Sequence, residues 1–159
     1  MSKNKLSWGR LVALGTIALL GACAQNPPMA MNATPPVASN PPPVAPGPNA
    51  IWFTVSFDSN SYVVNSAGQK SISDVIMALQ ANPNSIATII GRTDTVGSRD
   101  YNMRLSHRRA DAVRDALVYR GTVSASRVET RWTGEGRQNI PTGGNTEVSM
   151  NRVVDIAVH

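Results

Sequence analysis

Two side chains of opposite charge, Asp94 and Arg109, flank a glycine turn in the stretch Gly91 to Leu117. After that turn the sequence has helical periodicity. At about 100° per residue, Asn102, Leu105, Ser106, Arg109, Ala110, Val113, Ala116 and Leu117 share one side, and Arg104, His107, Arg108, Asp111, Arg114 and Asp115 share the other. Arg109 therefore faces inward among small and apolar neighbours. A buried guanidinium loses its hydration and requires a negative or hydrogen-bonding partner. Asp94, where the preceding strand runs out, is the nearest candidate in sequence. Either the two pair with each other as a partly buried salt bridge, or they are held apart and a ligand with an ammonium and a carboxylate completes the circuit. In the second arrangement Asp94 accepts from the ammonium, and the planar fork of Arg109 clamps the carboxylate with two parallel hydrogen bonds.

The elements that must position this pair can be read on either side of it. Ile86 to Gly91 is a short apolar run suited to a covered strand. Gly97 supplies a tight turn, and Ser98 is a suitable N-cap whose helix directs its positive end toward Asp94. Upstream, Ile51, Phe53 and Val55 alternate with Trp52, Thr54 and Ser56 as a first strand, closed by Phe57-Asp58. Ser66-x-x-Gln69 reads as a capping box opening a helix with Ile72, Val75, Ile76 and Leu79 on one face, which ends near Asn82 because Pro83 cannot continue it. Downstream, Gly121 stops the second helix, Val128 to Thr133 alternates as a third strand with Trp132 in the core, and Arg152 to Val158 alternates as a last one. The glycine-rich run Gly134 to Gly144 lacks the following helix and the lysine of a phosphate loop and reads as a long surface loop. The order strand, helix, strand, helix, strand, loop, strand predicts an α/β sandwich, a mixed four-stranded sheet with two helices on one face.

The run Thr93-Asp94-x-x-Gly97, then Asn102-x-x-Leu105-Ser106-x-x-Arg109-Ala110-x-x-Val113-x-x-x-Leu117, resembles the signature of the OmpA-like peptidoglycan-binding domain, shared by Pal lipoproteins and the periplasmic parts of OmpA and flagellar stator proteins. The resemblance extends from Ile51 to the C-terminus through Phe57-Asp58, Gly134-x-Gly136 with Pro141, and Asn151-Arg152. It implies the same α/β sandwich. It also implies that Asp94 and Arg109 grip the amino-acid end of meso-diaminopimelate in the stem peptide of the wall, in a groove bordered by Phe57, Asp58, Thr93, Gly97, Asn102, Leu105 and Arg152. In the family Asn102 would order the turn and Leu105 would pack beneath the site. Two positions depart from the pattern: Val153 follows Arg152 where a second arginine is common, and Arg92 stands where many members have histidine or tyrosine.

Residues 1–22 read as an export signal, with Lys3, Lys5 and Arg10 ahead of the apolar run Leu11 to Leu20, which is too short to span a bilayer comfortably. Leu20-Gly21-Ala22-Cys23 resembles a lipoprotein lipobox, making Cys23 the expected site of acylation (diacylglycerol, palmitate) and the first residue of a membrane-anchored mature protein. The alternative is a free thiol, since a lone cysteine has no internal disulfide partner. Ala24 is not the aspartate associated with inner-membrane retention, which points to the outer membrane with the domain facing the periplasm. Nine of the 11 prolines fall between Ala24 and Ala50, so residues 23–50 comprise the lipidated cysteine and a Pro-rich disordered tether, or alternatively a Pro-rich docking motif. Residues 51–159 form the folded domain.

Removing the three basic residues of the signal from the 15 in the chain leaves 12 against 10 acidic, a net charge of +2, which removes the main support for a nucleic-acid partner. There is no His-Glu-x-x-His metal pattern and no Gly-x-Ser-x-Gly elbow. Of the two histidines, His107 falls on the outward helix face as a solvated side chain and His159 is terminal. Asp58 and Asp94 could form the carboxylate pair of a muramidase, but an inward arginine favours their ionised forms over the proton donor such chemistry needs. The expectation is a binding protein without cofactor or metal: an outer-membrane lipoprotein tying that membrane to peptidoglycan, or alternatively the wall-anchoring subunit of a trans-envelope secretion or motility complex with envelope proteins as partners.

Overall fold

The computed structural model describes residues 46–47 and 49–159; the export signal, Cys23 and most of the Pro-rich tether lie outside the described residues. Four strands and two helices make up the domain: β1 (Ile51–Ser56), α1 (Ser66–Ala81), β2 (Ala87–Gly91), α2 (Arg99–Asp115), β3 (Val128–Trp132) and β4 (Val153–Val158). The sheet order is β1-β4-β2-β3. β4 runs antiparallel to both neighbours, and β2 pairs parallel with β3 through the α2 crossover, giving the expected mixed sheet.

Both helices lie on one face. Val55, Ile89, Val154 and Ile156 from the strands meet Ile72, Val75 and Leu79 of α1 and Ala110, Val113 and Leu117 of α2 and its continuation in one core. Asn102, Leu105, Ser106, Arg109, Ala110 and Val113 of α2 are all buried, as the helical periodicity predicts. The helix then widens into a π turn over Ala116–Arg120 and ends at Gly121.

Two sequence expectations are corrected. The N-cap of α1 is Asn65, one residue earlier than the capping box at Ser66 and Gln69: the Asn65 carboxamide accepts from Gly68 N–H at 2.9 Å, and Gln69 N–H bonds the backbone carbonyl of Asn65. Asparagine offers an acceptor at least as good as serine, so the cap settles there. Asn65→Ala should therefore lower stability by about 1 kcal/mol, measured by urea unfolding, whereas Ser66→Ala leaves the midpoint nearly unchanged. In β4 the expected alternation holds, with Val154, Ile156 and Val158 in the core and Asp155 on the open face, and every residue is buried because this strand is central and Asp155 is taken up by Thr54 Oγ1 at 3.1 Å and Arg92 Nε at 2.8 Å. Finally, His107 is only partly solvated, its side chain 37% exposed. Its ring stacks on Trp132 with centroids 3.8 Å apart, and its Nε2 lies 3.2 Å from Asp111 Oδ2, because α2 crosses the end of β3 there.

Candidate functional site

The site forms where the C-terminal end of β2, the N-terminal end of β4 and the start of α2 converge. Gly91 permits this convergence: a Cβ there would sit 2.1 Å from the carbonyl oxygen of Ser106, so only glycine lets α2 lie directly on the strand. The chain then turns through residues 92–98, with Gly97 at φ +94°, and enters α2 at Ser98, whose hydroxyl accepts from Tyr101 N–H at 3.3 Å.

Arg109 is completely buried, yet Asp94 does not satisfy it. Its Nε donates to the Ser61 carbonyl at 2.8 Å, Nη1 to the Arg92 carbonyl at 3.0 Å and Nη2 to the Asp58 carbonyl at 3.0 Å. The guanidinium carbon lies 5.3 Å over the Phe57 ring. A guanidinium has five N–H groups, so one on each terminal nitrogen has no partner among the described residues. Burial pulls the Arg109 pKa down from its ordinary value to about 10, a fall opposed by the negative Asp94 and reinforced by the positive Arg152, and the group stays charged at neutral pH.

Asp94 is buried, and its Oδ2 forms an ion pair with Arg152 Nη1 at 3.0 Å. Its Oδ1 has no hydrogen-bond partner among the described residues. Next to it, Thr93 is fully buried with an Oγ1 that likewise has no partner among the described residues, although its N–H is held by the Gly134 carbonyl at 3.0 Å. The predicted site residues thus form two groups. Asp94, Arg109, Arg152, Phe57 and the Asp58 backbone come together, while the Asp58 carboxylate is exposed. Gly97, Asn102 and Leu105 support the turn and helix: Asn102 is buried and donates from Nδ2 to Glu135 Oε2 at 2.7 Å, and Leu105 is buried on α2.

Several contributors escape sequence reasoning. The three carbonyls that hold Arg109 belong to the backbone, which carries no residue signal. The long loop is closed onto the turn by Thr95, whose hydroxyl donates to the Gly143 carbonyl at 2.6 Å and accepts from Thr146 N–H at 2.9 Å. Asn151 pins the other side of the loop, accepting from Ile140 N–H and donating to the Ile140 carbonyl, both at 2.8 Å. Arg92, one of the two departures from the expected pattern, spends its guanidinium on Asp155 and the Arg137 carbonyl.

The model of the OmpA family matches residues 56–153, a span that contains every residue of this constellation. The chain belongs to the OmpA family. Among similar proteins, the probable lipoprotein YiaD of Escherichia coli K12 is 38% identical over 104 residues, covering 65% of this chain and 47% of that protein. The peptidoglycan-associated lipoprotein of Brucella melitensis is 36% identical over 98 residues, covering 62% and 58%. This OmpA-family chain thus matches about half the length of those relatives. Among solved structures, the peptidoglycan-associated lipoprotein of Burkholderia pseudomallei superposes with a TM-score of 0.62 at 28% identity, over 67% of this chain and 90% of that one. Among the described residues no helix is long and apolar enough to cross a membrane.

Proposed function

We propose that this OmpA-family domain binds peptidoglycan non-covalently through the diaminopimelate of the stem peptide. The observation that carries the reading is that Asp94 and Arg109 do not saturate each other. Asp94 keeps Oδ1 for an ammonium, and Arg109 keeps one N–H on each terminal nitrogen for a carboxylate. The Arg152 guanidinium occupies the position of a cation beside Asp94. The ligand ammonium displaces it and opens the way to Arg109 beneath. Membership of the OmpA family, and relatives named peptidoglycan-associated lipoproteins, support the same assignment.

Each charge-assisted contact contributes about 1.5–3 kcal/mol, so a single stem peptide is held with modest affinity and many copies share the load. With Cys23 acylated in the outer membrane and residues 24–50 as a spacer, the chain tethers that membrane to the cell wall. The proposed role is adhesive: Asp94 and Arg109 grip the ligand and no bond is made or broken. Sedimentation with insoluble peptidoglycan tests the reading. The chain should pellet with diaminopimelate-type wall, stay in solution with lysine-type wall, and be released by free meso-diaminopimelate. Equal pelleting with both walls would overturn it.

A further inference from the structure

We infer that the open face of β1 is a second subsite, which takes the glycan strand of the same polymer; this rests on the peptidoglycan reading above. Along β1, Phe53 and Val55 pack against or within the core, so Trp52, Thr54 and Ser56 share the opposite face. Trp52 is 53% exposed, an aromatic surface left uncovered on an edge strand. Thr54 and Ser56 line, with Asn139, Ser149, Met150 and Arg152, a groove of about 480 Å³, and Trp52 stands two positions before Thr54 on the same strand face, outside that lining.

The chemistry of this groove suits a neutral polyol. The side-chain hydroxyls of Ser56 and Ser149 have no hydrogen-bond partner among the described residues, and Asn139 uses an amide N–H on the Met150 carbonyl while its own carbonyl oxygen is unengaged. Asp58 and Arg152 bring charge to the lining, while the Asp155 carboxylate opposite Thr54 is already engaged by the Thr54 hydroxyl and by Arg92. A flat indole beside hydroxyls and amides matches a pyranose: C–H bonds of one sugar face lie on the ring, and hydroxyl and N-acetyl groups meet the polar side chains.

Continuity fixes the occupant. The groove is lined by Arg152, whose Nη1 is bound to Asp94. A stem peptide whose third residue sits at Asp94 has two residues, about 7 Å of extended chain, between that point and its sugar. From Ser56 to Trp52 the strand then offers roughly 13 Å for the saccharide.

Titration calorimetry on the full-length chain in detergent tests this with three probes: the free stem tripeptide ending in diaminopimelate, the same tripeptide on its disaccharide, and peptide-free glycan oligomers. The disaccharide–tripeptide should bind about tenfold tighter than the tripeptide. Trp52→Thr, which keeps a good strand former in an exposed position, should erase that difference and leave tripeptide affinity unchanged, and Trp52→Phe should retain most of it. Peptide-free glycan should bind weakly to wild type and lose binding in Trp52→Thr. Equal affinity of the two peptide probes for wild type, or a difference that survives in Trp52→Thr, overturns the glycan subsite and leaves the diaminopimelate site standing. Failure of the tripeptide to bind while Trp52-dependent glycan binding persists does the reverse.

Discussion

Asp94→Asn should abolish pelleting with diaminopimelate-type wall while leaving the unfolding transition within about 1 kcal/mol of wild type. The substitution keeps the shape of the side chain and removes the charge that meets the ligand ammonium. Losing the charged partner of a largely desolvated contact costs about 2–3 kcal/mol, or roughly 30- to 150-fold in affinity, enough to take a weak single-stem interaction below detection. Arg152 loses its ion pair in the same variant, but its side chain keeps 15% exposure and can recruit water. A melt as depressed as that of the next variant would show that the Asp94–Arg152 pair is architectural and would sink the binding assignment.

Arg109→Ala should behave differently, lowering stability by roughly 3–5 kcal/mol in urea unfolding. The side chain stitches two separate loops, one through Asp58 and Ser61 and the other through Arg92, to α2. Its removal strands the Ser61 and Arg92 carbonyls, leaves Asp58 with only the Ser61 N–H, and opens a cavity over Phe57. Because a domain of this size is stable by only about 5–15 kcal/mol, much of the total is at stake. Loss of wall binding in Arg109→Ala therefore reports on folding as much as on recognition, and the cleaner evidence for a clamp is the behaviour of Asp94→Asn. Arg109→Lys separates the two further: an ammonium keeps the charge but cannot spread to three carbonyls and a bidentate guest.

Elements governed by periodicity were legible in the chain: all four strands, both helices, the arginine facing the interior of α2 and the Ser98 cap lie where the residues place them, to within a residue or two. What holds Arg109 was not. Both arrangements weighed for it invoked a side chain or a ligand, whereas the partners are carbonyls from two distant loops, and any residue type supplies a carbonyl. Arg152 was legible as a neighbour of the groove but not as the cation beside Asp94, because that contact depends on how β4 enters the sheet. The same holds for His107, whose stacking on Trp132 follows from the crossing of α2 over β3 and not from its position on the helical wheel.

The register of β1 on β4 places Ile51 opposite Val158 at one end of the sheet and Ser56 opposite Val153 at the other, next to Arg152 and Asp94. On the proposed reading, the chain from the membrane anchor enters at the first end and the guest is gripped at the second. Tension between anchor and wall would then run along the strands, loading the inter-strand hydrogen bonds of the β1–β4 ladder together in shear instead of peeling them apart one by one. Mechanical strength under pulling would thus arise from where the two handles are mounted, with no contribution required from thermodynamic stability.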